Sequence, residues 1–241
     1  MRMAKIRMIS MKREILILYL LIFFGLILNL GCGKQQAASV KTPRVLSIKK
    51  VVAVGFLSAM TEMDKPGSFH NPLSGSMVTA EPISPDVVRA ASDTLFERIV
   101  SEKNFELVSR GQAMGAYSSI IRSDKNVGMP QIQVVQEVGR QFNADAVLIG
   151  YIYRWSEREG TDYGIKRAAS VSFDLHLIRS FNGAIMWKYK FDKTQQSLTE
   201  NLFDLGTFTE SGGKWLTVDK LAAIGFNKML KDMPSGEGGA E

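Results

Sequence analysis

The sequence predicts an α+β fold, a single domain with one mixed β-sheet and helices packed on it, in the order β-α-β-α-α-β-β-β-α. Three stretches carry that prediction. Residues 146–155 (AVLIGYIYRW), a near-continuous apolar run, are the strongest strand signal in the chain. Residues 170–178 and 185–191 alternate apolar and polar on either side of Asn182-Gly183, which predicts a C-terminal antiparallel hairpin. Ser84-Pro85-Asp86 sets a hydroxyl cap, a proline and an acid at the head of a helical pattern.

Taken in order, residues 51–56 (VVAVGF) form the first buried strand. Residues 57–83 hold three prolines among Ser, Thr, Asn and Gly, and are expected to be a long loop of the kind that often carries function. The helix opened by Ser84 runs to about residue 103 on Val88, Ala91, Leu95 and Ile99. A short strand follows at 105–110. Residues 112–121 place Ala113, Met114, Tyr117 and Ile121 on one helical face, and a further helix after Met129-Pro130 does the same with Ile132, Val135, Val138 and Phe142. Asn143-Ala144-Asp145 ends it and feeds the strand at 146–155. In the hairpin, Val171, Phe173, Leu175 and Leu177 share one face with the second strand's Ile185, Trp187, Tyr189 and Phe191. Ser172, Asp174 and His176 then fall on the opposite face, which is expected to be wet, so His176 reads as a solvated histidine rather than a ligand. Residues 194–208 are polar with Leu198, Leu202, Phe203 and Leu205 inserted. A last helix spans about 217–231, with Leu221, Ala222, Phe226, Met229 and Leu230 facing the core. The domain is thus set at 51–233, followed by a disordered tail at 234–241.

The first 31 residues have a different logic. Lys12 and Arg13 precede 14 apolar residues at 15–28 (ILILYLLIFFGLIL), then Gly31 and Cys32, the single cysteine of the chain. A positive end, an apolar middle and a small residue before a lone cysteine form a lipoprotein export signal. Residues 1–31 are therefore read as a signal peptide cleaved between Gly31 and Cys32, with Cys32 the lipid-attachment site. The run is short of the roughly 20 residues a membrane-spanning helix needs. Asn29 departs from the aliphatic residue usual there, and the compact lead that begins at Met11 makes it an alternative start to Met1. Residues 32–50 form a lipidated flexible tether, whose reach at ~3.4 Å per residue is about 60 Å at most. Gly33 is not the aspartate that retains lipoproteins at the inner membrane. The expected location is the cell envelope, at the outer membrane facing the periplasm.

Composition narrows the function. Removing residues 1–31 takes five of 30 basic residues and one of 24 acidic, leaving 25 against 23. The high pI belongs largely to the signal, and no basic excess remains for nucleic acid. With one cysteine and two histidines far apart, no metal-ligand cluster is visible, and no phosphate loop or nucleophile elbow is present. No cofactor is expected and the chain is read as a non-enzyme. His70, beside Gly67, Ser68 and Asn71, is read as a polar loop residue rather than the base of a hydrolase.

The segment from Ala144 to Tyr151 (ADAVLIGY), followed by the strand pair at Asn182-Gly183 with Ile185 and Trp187, resembles the domain of the curli-secretion lipoprotein CsgG, the LpoB-type activators and the amino-terminal domain of TolB. The resemblance covers about 51–230. Residues 192–201 (DKTQQSLTEN) and Gly213-Lys214-Trp215 are similar to an uncharacterised lipoprotein subgroup. What the resemblance implies is a periplasmic module held to the lipid bilayer through acylated Cys32, non-catalytic, binding an envelope protein partner. The alternative is a CsgG-like secretion channel assembled as a homo-oligomer. Channel members carry long membrane hairpins, and a spanning strand needs about 9–11 alternating residues. Residues 156–169 (SEREGTDYGIKRAA) are too short and charged for that. Residues 193–213 lack alternation and hold Glu200, Asp204 and Glu210. The adaptor reading is therefore preferred to the channel.

Overall fold

The fold is arranged around β1 (Lys50–Ser58), six consecutive residues of which are buried. The computed structural model describes residues 48–161, 164–195 and 215–236. The export segment with Gly31 and Cys32, nearly all of the tether, residues 196–214 and residues 237–241 lie outside them.

After β1 the chain forms a small antiparallel hairpin, β2 (Gly67–His70) with β3 (Met77–Ala80). Then come α1 (Pro85–Glu102), β4 (Glu106–Val108), α2 (Arg110–Arg122) and α3 (Gln131–Gln141). The sheet resumes with β5 (Ala146–Ser156), a minor pair β6 (Glu159–Gly160) and β7 (Ile165–Arg167), then β8 (Ser170–Arg179) and β9 (Ile185–Thr194). α4 (Val218–Asp232) closes the fold. The central sheet runs β4-β1-β5-β8-β9. β4 and β5 lie parallel to β1, whereas β8 is antiparallel to β5 and β9 to β8. The expected α+β class and the expected order of its nine main elements are both present.

Each sheet face has its own core. On the first, α1 and α4 bury Leu95, Ile99, Leu221 and Phe226 against Val51, Leu148 and Phe173. On the second, α2 and α3 bury Tyr117, Val135 and Val138 against Val52, Val147 and Ile149. The helices form where apolar residues recur at three and four positions, so that one face of each meets the sheet. Thr217 caps α4 through its hydroxyl, which accepts from Lys220 N–H at 3.4 Å. Asn143 adopts a positive φ of 49° just after α3 and turns the chain into β5.

The antiparallel hairpin expected at Asn182-Gly183 is present, its connection spanning residues 180–184 with Gly183 at a positive φ of 71°. Two expectations need correcting. Residues 57–83 are not loop throughout: Phe69, Val78 and Ala80 pack on the second core and fold the middle of the segment as the β2–β3 hairpin. The polar face of β8 is not wet. Ser172, Asp174 and His176 are 0%, 5% and 1% exposed, and Asp174 is met by Tyr153 of β5 and by Asn71 at the turn of the β2–β3 hairpin.

Candidate functional site

β1 is the switch point of the sheet. The chain leaves it across the first face through α1 to reach β4, then returns across the second face through α2 and α3 to reach β5. In sheets of this kind a crevice opens beyond the carboxyl ends of the strands where the connections diverge. The described residues have a cleft there of about 660 Å³, between the end of β1 and the amino-terminal ends of α1 and α2.

Local chemistry holds that crevice in shape. Gly55 has φ of 90°, and a Cβ on it would lie 2.9 Å from Ser92 of α1. Its lack of a side chain lets the helix approach the strand. Ser92 Oγ then accepts from Phe56 N–H at 2.9 Å and donates to the Val88 carbonyl at 2.7 Å, bonding the helix to the strand end. Phe56, Leu57, Ile83 and Val88 supply an apolar lining, with Met63 and Met114 at its sides. Two guanidinium groups line it as well. Arg89 donates to Asp86 at 2.9 Å, and Arg110 pairs with Asp93 of α1. The Arg110 Nε is buried without a hydrogen-bond partner among the described residues. Among the described residues Glu62 is the one carboxylate in the lining itself, and Asp86 and Asp93 are paired to the two arginines.

The segment that walls the cleft is fastened at both ends to β5. Ala59 N–H donates to the Ile152 carbonyl at 3.1 Å, and Glu81 N–H donates to the Tyr153 carbonyl at 2.7 Å. Its middle is held by Asn71, which is fully buried. The Asn71 side-chain oxygen accepts from Leu73 N–H at 2.7 Å and Ser74 N–H at 3.0 Å, shaping the hairpin turn. Its Nδ2 donates to Tyr153 Oη at 2.6 Å and Asp174 Oδ2 at 2.9 Å. Tyr153 Oη donates in turn to Asp174 Oδ2 at 2.5 Å, and Tyr151 N–H to Asp174 Oδ1 at 3.2 Å. A buried carboxyl is costly unless hydrogen-bonded, and Asp174 meets that requirement with three donors.

His176 lies on the same face of β8, its Nδ1 3.7 Å from Asp174 Oδ1, too far for a hydrogen bond. Burial pushes the His176 pKa down, against the pull of Asp174 and with the push of Lys188. Burial pushes the Asp174 carboxyl up, against His176, its hydrogen bonds to Tyr153 and Tyr151, and Lys190. It pushes both tyrosine hydroxyls up as well. The cluster is a structural clasp that sets the hairpin on the sheet.

The residues singled out from sequence therefore scatter. Gly31 and Cys32 lie outside the described residues. His70 is exposed at the end of β2, opposite Met77, and neither histidine lines the cleft. Sequence reading missed the Asn71–Tyr153–Asp174 clasp. Its available signal was a pair of tyrosines on one face of an otherwise apolar strand, opposite the polar positions of the next. It missed the cleft too, although Arg89 and Arg110 each sit at a helix start beside the end of a buried strand.

A scan of family models finds no match to this chain, and neither does a search of curated proteins. Solved structures do match at low identity. The LpoB C-terminal domain from Salmonella enterica is 16% identical, over 62% of this chain and 86% of its own, with a TM-score of 0.38. A PelC dodecamer from Paraburkholderia phytofirmans is 15% identical, over 78% and 90%, with a TM-score of 0.43. A lipoprotein from Neisseria meningitidis is 14% identical, over 73% and 99%, with a TM-score of 0.40.

Proposed function

We propose that this chain is a lipid-anchored module of the bacterial envelope that binds a protein partner through the pole formed by the cleft and the β2–β3 hairpin. The carrying observation is the order Lys12-Arg13, apolar residues 15–28, Gly31 and Cys32, which has the chemistry of export followed by acylation. Acylation on more than one chain gives a stable hold on the bilayer. The mature chain then begins at Cys32, residues 32–50 act as its tether, and residues 51–233 are the working domain at the periplasmic face of the outer membrane.

The geometry supports binding rather than turnover. The cleft is apolar with a few polar groups, the usual make-up of a recognition site. Among the described residues, its lining has Glu62 as its one carboxylate and no histidine or cysteine. The β6–β7 pair, which falls in the first of the two connections that lengthen into membrane hairpins in channel proteins, has strands of two and three residues. That is far below the 9–11 residues a spanning strand takes.

Cross-linking in intact envelopes tests the proposal. A photoreactive residue at position 63, which is 97% exposed beside the cleft, is expected to capture one discrete partner. The same probe at exposed Val127 of the α2–α3 connection is expected to capture none. Equal labelling from both positions, or capture of bulk lipoproteins alone, contradicts the docking role.

A further inference from the structure

We infer that the domain rests its tether pole on the bilayer, with the Phe181 ring entering the lipid interface beside the anchor. This rests on the anchored-module reading and gives it an orientation. The topology brings three segments to one end of the sheet. Val51 of β1 pairs with Ala146 of β5, and Ala146 with Arg179 of β8. The amino ends of β1 and β5 and the carboxyl end of β8 therefore form one row. The tether enters at β1, and the β8–β9 connection leaves β8 two strand spacings away, roughly 10 Å. Hydrogen bonds tie this row together. Lys49 and Lys50 N–H both donate to Asp145 Oδ2 at 2.9 Å. Asp145 N–H donates to the Lys50 carbonyl at 2.9 Å, and the Asp145 carbonyl accepts from Ser180 N–H at 3.0 Å.

Phe181 follows Ser180 and is 87% exposed, the one aromatic ring among the exposed large apolar side chains of the described residues. A single apolar side chain in water is ordinary, but two features set this one apart. Its backbone is fixed. Arg179 N–H donates to the Ala184 carbonyl and Gly183 N–H to the Arg179 carbonyl, each at 2.9 Å. Asn182 Oδ1 accepts from Ala184 N–H at 3.1 Å, and Gln136 Nε2 of α3 donates to the Phe181 carbonyl at 3.4 Å. The turn thus presents a bare ring whose ordering cost on contact is already met by the fold. The second feature is the length of chain that leads to it. Residue 48, where the domain begins, is 16 positions after Cys32. A coil of that length averages roughly 22 Å end to end. Lipid on Cys32 therefore gives the pole an effective concentration at the interface in the mM range. A ring of this kind inserts at the boundary of headgroups and acyl chains, and the tether makes even a weak insertion populated.

Charge is balanced at this pole. Lys50 pairs with Glu106 at 3.3 Å and Arg140 with Glu137 at 3.1 Å, while the Asp145 carboxylate is held by two amides. The attraction is therefore apolar, and zwitterionic lipid suffices. With this pole down, the cleft at the other end of the nine-residue β1 is roughly 30 Å further on at about 3.3 Å per residue, facing away from the membrane.

The full-length chain, lipidated on Cys32 and reconstituted into phosphatidylcholine vesicles with a share of spin-labelled lipid, tests this. A fluorophore on Ala184→Cys, beside an intact Phe181, is expected to be quenched by the lipid. The same fluorophore on Met63→Cys, at the cleft, is expected to stay bright. Phe181→Asp is expected to remove most of the quenching at position 184 while flotation with the vesicles persists. All three positions are exposed, so an unchanged melting temperature shows that the fold is kept. Added phosphatidylglycerol or salt is expected to change little. Equal quenching at positions 184 and 63, quenching that Phe181→Asp leaves intact, or quenching that requires the anionic lipid overturns the inference. Flotation separates the two claims. A chain that floats without quenching at position 184 keeps its anchor and loses this orientation, whereas a chain that does not float loses the anchored reading itself.

Discussion

The apolar core under α1 and α4 and the hairpin end of the opposite sheet face meet the same demand in different ways. Against α1 and α4, Phe173 lies 5.5 Å from Phe56, 5.1 Å from Phe226 and 5.4 Å from Phe191, ring centre to ring centre, within an apolar core. Against the β2–β3 hairpin, the same strand buries Asp174 and His176, and the carboxyl is made tolerable by Asn71, Tyr153 and Tyr151. The first face holds by area and shape, which are forgiving of detail. The second has an apolar core of its own under α2 and α3, but its hairpin end holds by directional bonds, which fail when one member is lost. The difference teaches where the molecule is specified rather than merely stable: the clasp fixes the segment that walls the cleft.

Substitutions should separate the two modes. Phe173→Ala removes a ring at 0% exposure from three aromatic neighbours and is expected to cost about 3–5 kcal/mol in urea unfolding. A loss under about 1 kcal/mol would mean that the apolar face is not the principal core.

Asn71→Ala should come next, at about 1–3 kcal/mol, because it strips a donor from the buried Asp174 and Tyr153. Its more telling readout is hydrogen exchange. Amides of the β2–β3 hairpin are expected to lose protection while those of α1 and α4 keep theirs. Uniform loss across both faces would break the comparison.

The pH response is smaller and has a definite sign. His176 is buried with its pKa pushed below the ordinary 6.5, so the unfolded chain binds more protons than the folded one below that value. Its contribution to stability is therefore lost as pH falls through 6.5 toward the folded value. Asp174, raised from 3.8, has the opposite sign: the folded chain holds its proton longer, and its contribution is lost as pH rises through the folded value. His176→Gln should remove the first trend alone. The difference in melting temperature between variant and wild type should shift toward the variant on acidification below pH 6.5. A difference independent of pH would show that His176 titrates as if solvated.

At the bottom of the scale, Arg89→Ala breaks a pair whose side chains are 65% and 84% exposed. It should change stability by about 0.5 kcal/mol or less, as thermal unfolding can check. A larger loss would make Arg89 a structural member of the cleft.

The apolar mode was the legible one. Helix spacing at Val88, Ala91, Leu95 and Ile99, the unbroken run of β5, and the Asn182-Gly183 turn are each local, so the order of elements could be read directly. The clasp could not, because Asn71 is 82 residues from Tyr153 and 103 from Asp174 in the chain. Alternation along β8 shows which side chains share a face and is silent on what covers that face. The same holds for the cleft. Residues 56–63, 83–89 and 110–114 are unremarkable separately, and the crossover of the chain at β1 brings them to one crevice.

Intact-mass and peptide mass spectrometry of the membrane-extracted protein tests the anchored-module proposal most directly. The expected product begins at Cys32, lacks residues 1–31, and has diacylglyceryl and acyl groups on its first residue. A chain that retains residues 15–32 as one unmodified peptide would contradict it.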